Sequence, residues 1–287
     1  MPAQQGCFDS DGVTIRYLDW GPPDGANAAG PPLILIHATG FLAALWRPIA
    51  ERLSARFRVV ALDQRGHGQS DKPPDGYRFD VLADDLQRLI EALALESPIA
   101  AGHSSGGTTI VVHAGRHPGV IRRAVLIEPI LPSAAWFKEA GSERTPNRMA
   151  EGARKRRAVW SSRDELFDAY RTRPAFQTWQ EETLRIYVDE GTRTREDGQV
   201  ELLCPPELEA QFFEAVADVD SASLLPKLTC PTLVLWGAES DLRERTESIV
   251  ADGLRNARTI AVPDTTHFLP QERPDEVGRL IEEFLSD

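Results

Sequence analysis

The chain has 287 residues, 41% hydrophobic and 26% charged, enough apolar material for one α/β domain with an insertion and no disulfide or metal staple. Its formal net charge of −12 argues against nucleic acid as a partner, because phosphate binding needs clustered Lys and Arg. Cys7, Cys204 and Cys230 are too scattered for a disulfide framework or a zinc site, Met1 to Asp11 carries no signal-peptide pattern, and no apolar run is long enough for a membrane span, so a cytoplasmic chain without membrane contact is expected.

Leu33-Ile34-Leu35-Ile36 is the first short, continuous apolar run, the mark of a strand buried on both faces. His37-Ala38-Thr39-Gly40-Phe41 follows it. A loop there can aim a backbone N–H at an oxyanion, and Thr39 is the candidate donor, with Gly40 and Phe41 lining the same pocket. His37 reads as structural. Val59-Val60-Ala61-Leu62 is a second such strand, followed by Asp63-Gln64-Arg65-Gly66-His67-Gly68-Gln69-Ser70. These glycines do not have phosphate-loop spacing, so the segment reads as a scaffold turn. Leu82, Leu86, Leu89, Ile90 and Leu93 then recur at helical spacing, with Asp80 placed to cap the helix.

Pro98-Ile99-Ala100-Ala101 leads into Gly102-His103-Ser104-Ser105-Gly106, a Gly-x-Ser-x-Gly pattern with a strand before it and a helical run, Thr108 to His117, behind it. That context lifts the serine out of the sheet on a sharp turn and puts free N–H groups of a helix start beneath it. Ser104 is the candidate nucleophile and the N–H of Ser105 a second oxyanion donor. Ser105 also carries the rival hydroxyl, one place past the centre of the turn. His67 and His103 shape nearby loops, with His103 also placed beside a substrate. Ala124-Val125-Leu126-Ile127 is another strand and ends at Glu128.

From 131 to 225 the strand–helix alternation breaks. The segment is rich in Arg, Glu and aromatics and predicts helices without strong strands. Its run Arg154-Lys155-Arg156-Arg157 reads as a solvated helix face, the alternative being a patch for an anionic partner. Trp136, Trp160 and Trp179 supply aromatic surface for a substrate pocket. Thr232-Leu233-Val234-Leu235-Trp236 restores the sheet and is followed by Glu239 and Asp241. A strand from Thr259 to Val262 precedes His267, and Val277, Leu280, Ile281 and Phe284 form a last apolar stripe. His267 can reach Ser104 over the sheet edge as general base. Two carboxylates compete to orient it. Asp241 comes first because the chain order Ser104, Asp241, His267 is the one expected; Glu128, at the end of its strand, is the rival.

Taken together, Asp63 to Ser70, Gly102 to Gly106 and Thr266-His267-Phe268 resemble the α/β-hydrolase superfamily. The resemblance implies an α/β fold, a mostly parallel eight-stranded sheet covered by helices on both faces. It further implies a helical cap inserted in the second half, an active site between cap and sheet edge, and no cofactor or metal. The expected division is a core of 1–130 and 226–287 with a cap of 131–225. Ala38-Thr39 departs from the His-Gly common in that loop of the family. The expected activity is hydrolysis of a carboxylic ester or lactone on a hydrophobic small molecule through an acyl-enzyme. A ligand receptor that keeps the same residues, or a cofactor-free peroxidase or lyase, is the alternative.

Overall fold

In the computed structural model, which describes residues 2–21, 30–133 and 147–286, the chain opens with an antiparallel pair, β1 (Gln4–Ser10) and β2 (Val13–Trp20). Then β3 (Leu33–Ile36), α1 (Arg47–Leu53), β4 (Val59–Leu62), α2 (Phe79–Ala92), β5 (Ile99–His103), α3 (Ser105–Arg116) and β6 (Arg123–Ile127) alternate as the apolar runs predict. Asp80 lies in the first turn of α2 and pairs with Arg78 instead of capping the helix.

The inserted chain contains α4 (Arg148–Arg154), β7 (Val159–Trp160), α5 (Arg163–Arg171), α6 (Glu181–Glu190), β8 (Thr192–Thr194), β9 (Val200–Leu202) and α7 (Pro206–Ala215). Beside the helices expected there, three short strands, β7, β9 and β8, form an antiparallel sheet in that order. Strands of two or three residues are too short to show an alternation in sequence. The β8–β9 turn instead depends on Gly198, which takes φ +82. The chain returns to the main sheet with β10 (Thr232–Gly237), α8 (Asp241–Gly253), β11 (Ala257–Val262), α9 (Leu269–Glu272) and α10 (Pro274–Ser286).

The eight-stranded sheet has the order β1-β2-β4-β3-β5-β6-β10-β11 and is parallel from β4 to β11. Alternate residues of its inner strands feed two layers. Ile34, Ile36, Val60 and Leu62 pack against Leu86 and Leu89 of α2 and Ile110 of α3. Leu33, Leu35, Val59 and Ala61 pack against Ile49 and Leu53 of α1 and Val277 and Ile281 of α10. Because the strands from β4 to β11 run parallel, their carboxyl ends lie along one rim, where open α/β sheets bind ligands.

Candidate active site

Ser104 stands where β5 turns into α3, with φ 54 and ψ −115, a conformation few residues other than glycine adopt. Its amide donates to Ile127 O of β6 at 2.8 Å. The flanking glycines explain why the turn can be so tight. A Cβ on Gly102 would lie 2.4 Å from the carbonyl carbon of Gly106, and one on Gly106 would lie 2.3 Å from Ile36 O. The start of α3 is therefore pressed onto β5 and β3, and no side chain fits between them.

His267, on the loop between β11 and α9, meets Ser104 from the other side. Its Nε2 lies 3.1 Å from Ser104 Oγ and its Nδ1 lies 3.1 Å from Glu128 Oε2. A carboxylate at Nδ1 assigns the proton to that nitrogen and leaves Nε2 free to accept from the serine. Glu128 is fully buried at φ 51, immediately after β6. Gly237 N–H donates to its Oε1 at 2.6 Å and Ser240 Oγ to its Oε2 at 2.7 Å. Gly237 also lets the loop that carries His267 come close to the end of β10, since a Cβ there would lie 2.3 Å from Thr266 O.

The carboxylate at the imidazole is thus Glu128, not Asp241. Asp241 is already the first residue of α8, exposed, one position beyond Ser240. Ser240 caps that helix through Leu242 N–H and gives its own proton to Glu128. Chain order favoured Asp241; the adjacency of β6 to both β5 and β10 favours Glu128.

The loop after β3 is held by two neutral imidazoles. His37 Nε2 accepts from Gln64 N–H at 3.0 Å and its Nδ1 donates to Ala38 O at 2.8 Å. His67 Nε2 accepts from Gly40 N–H at 2.9 Å. Burial lowers the pKa of His37 to about 4 and that of His67 well below its usual range. Gly40 is therefore no oxyanion donor, and Phe41 N–H is taken by Ala38 O. Thr39 N–H has no acceptor among the described residues, nor does the N–H of Ser105 at the first position of α3. The turn from Asp63 to Ser70 supports this loop from below, since buried Asp63 accepts from Ala43 N–H at 2.6 Å and Gln69 N–H at 2.9 Å. Burial raises the Asp63 carboxyl to about 6.

His103 is fully enclosed and donates from Nε2 to the carbonyl of His267 at 2.8 Å, so it holds the histidine loop instead of facing a substrate. Trp179 packs edge-on against Phe41 at 5.2 Å between ring centres and against Phe268 at 5.8 Å. Trp160 packs edge-on against Tyr170 with Arg157 over its ring at 4.1 Å, in the apolar cluster that also holds Phe41 and Trp179. Trp136 lies outside the described residues.

The basic run is not one solvated face. Arg154 bridges Glu207 and Glu214 at the surface, while Arg156 turns inward to Glu209 and to the hydroxyls of Tyr170 and Tyr187 at 3.1 and 2.8 Å. Burial opposes its charge, but Tyr187, Glu209 and Tyr170 outweigh that and keep the guanidinium protonated. Sequence reasoning missed Gly237 and Arg156. A single glycine ending a strand and one arginine in a run of four basic residues carry no signal of direction.

Over 125 residues the chain is 39% identical to a non-heme chloroperoxidase of Streptomyces lividans, a match that spans 43% of this chain and 44% of that protein. It is 27% identical over 260 residues to a 2-(acetamidomethylene)succinate hydrolase of Mesorhizobium japonicum, covering 90% of this chain and 89% of the relative. A crystal structure of an E-2-(acetamidomethylene)succinate hydrolase superposes with a TM-score of 0.81 at 24% identity, over 99% of this chain and 100% of the other. The family model described as the alpha/beta hydrolase fold matches residues 31–274, and with the sheet order and the turn at Ser104 this shows that the chain belongs to the alpha/beta hydrolase family.

Proposed function

We infer that the protein is a serine hydrolase that cleaves a carboxylic ester or lactone through an acyl-enzyme, the inserted segment acting as a cap over the site. One observation carries the reading: Ser104 Oγ, His267 and Glu128 form an unbroken line of hydrogen bonds, each 3.1 Å long. In this mechanism Ser104 Oγ attacks the carbonyl carbon while His267 Nε2 takes its proton. The oxyanion is received by the N–H groups of Ser105 and Thr39, neither of which has an acceptor among the described residues. Glu128 holds the imidazolium through Nδ1. Collapse returns the proton to the leaving oxygen, and water repeats the sequence on the acyl-enzyme.

The substrate is a neutral, largely apolar small molecule. Phe41, Trp179 and Phe268 supply an aromatic wall beside His267. The guanidinium of Arg156, near Gly40, is already matched by Glu209 and has no charge left for an anion. The relative named for 2-(acetamidomethylene)succinate makes charge the point to test. Turnover of neutral short-chain esters and lactones should exceed that of dianionic esters and should vanish in Ser104→Ala. A Ser104→Ala protein that keeps wild-type turnover rejects the reading.

The chloroperoxidase match supports a second use of the same intermediate. Hydrogen peroxide in place of water would take the acyl group as a peracid and release the Ser104 hydroxyl. Product analysis with and without peroxide separates the two; in both, the first half-reaction is the same.

A further inference from the structure

Glu272 is a buried carboxylate at the end of α9 with no role in the line of residues above. Among the described residues it has no cationic partner. Three neutral donors satisfy it instead. Thr266 N–H reaches Oε2 at 2.8 Å and Thr266 Oγ1 reaches Oε1 at 2.6 Å. The third is the hydroxyl of Thr178, which belongs to the inserted segment just before α6 and also donates to Oε1. Thr266 directly precedes His267. One carboxylate is therefore shared between the residue that leads into the imidazole and the insertion that lies over it.

Two neighbouring bonds make the junction continuous. Gln180 N–H and Thr183 Oγ1 both donate to the carbonyl of Gln271, at 3.1 and 2.9 Å. Between Thr178 and Gln180, Trp179 reaches Phe41 and Phe268. On the opposite flank, His103 fixes the carbonyl of His267. The histidine backbone is thus gripped from both sides, and one grip passes through the insertion.

We propose that Glu272 is a positioning residue for His267, and that through Thr178 it makes the placement of the imidazole depend on the seating of the inserted segment. A buried carboxylate costs free energy unless its oxygens are fully hydrogen-bonded, and an apolar side chain would stabilise the same position with less penalty. What the carboxylate adds is geometry: two acceptors fixed on Thr266, one residue from the base. Proton transfer at 3.1 Å tolerates little displacement; an error of about 1 Å can cost on the order of 100-fold in rate. The inference rests on the hydrolase reading of Ser104 and His267.

The test uses the full-length protein with Glu272→Gln, Glu272→Leu and Thr178→Val. It records kcat and KM on p-nitrophenyl butyrate, the rate of fluorophosphonate labelling, and Tm. Gln keeps an oxygen for Thr266 N–H, and its amide can donate to the two hydroxyls, so Glu272→Gln should stay within about threefold of wild type. Glu272→Leu should lose kcat and labelling rate by about 100-fold with KM nearly unchanged. Thr178 is an exposed position, so Thr178→Val should keep its Tm and lose about three- to tenfold in kcat. If Glu272→Leu does not fold, Thr178→Val and Glu272→Gln decide. A wild-type kcat in Thr178→Val, or a Glu272→Gln as impaired as a folded Glu272→Leu, overturns the proposal. A wild-type protein that neither hydrolyses the ester nor takes the label overturns the hydrolase reading itself, and this inference with it.

Discussion

In the proposed mechanism the chemistry of the site turns on Glu128. Its side chain is fully buried, accepts from Gly237 and Ser240, and spends its remaining capacity on His267. Removing its charge while keeping its shape should leave the imidazole free to take the wrong tautomer. Glu128→Gln is therefore expected to lower kcat by about 10³–10⁴-fold, with KM little changed. Asp241→Asn should stay within about twofold, because that side chain is exposed on α8. Steady-state kinetics on one neutral ester compares the two directly, and a larger loss in Asp241→Asn would restore the carboxylate that chain order favours. This is also where sequence reading reached its limit. Ser104 and His267 were legible because a Gly-x-Ser-x-Gly pattern and a terminal histidine loop are local features. The choice between two acids was not, because it depends on which strands are neighbours and on which backbone and side-chain donors meet the carboxylate.

At the scale of elements, the turn from β5 into α3 is the part of the structure with least tolerance. Gly102 and Gly106 let the helix start against β5 and against the carbonyl of Ile36 on β3, and that contact sets how far Ser104 projects. Gly106→Ala should force β3 and α3 apart. The expected cost is about 1–3 kcal/mol in urea unfolding, with activity lost even where the protein remains folded. A Gly106→Ala protein of wild-type stability and activity would show that the turn can relax. The inner strands β3, β4, β5, β6 and β10 could be read from continuous apolar runs, since burial on both faces leaves no room for polar residues, whereas the partly exposed β1 and β2 could not. The insertion could not be read so well. β7, β8 and β9 are two or three residues long, and Arg156 is buried only because Glu209, Tyr170 and Tyr187, from three different helices, converge on it.

The whole molecule carries several buried neutral imidazoles. Burial holds His37 and His113 at about 4, and His67 and His103 well below their usual value of 6.5. In each case the folded value lies below the unfolded one. The unfolded chain therefore takes up protons first, and stability present above pH 6.5 is lost as the pH falls towards 4. Asp63, raised to about 6, acts in the opposite sense, because the folded state protonates it before the unfolded chain does. The histidines outnumber it, and His37 alone corresponds to about 3 kcal/mol. Tm should drop steadily between pH 6.5 and pH 4.5; a flat profile would mean that these rings are not buried neutral in solution. His37, His67 and His103 lie on the loops around Ser104 and His267, so there the packing that gives acid sensitivity also gives the site its geometry. The most direct test of that geometry is labelling of the native protein with a fluorophosphonate, followed by mass mapping of the modified peptide. The adduct should fall on Ser104 alone and form at least about 100-fold more slowly in His267→Ala. An adduct on Ser105 or another serine, or labelling of Ser104 that does not depend on His267, would contradict the account.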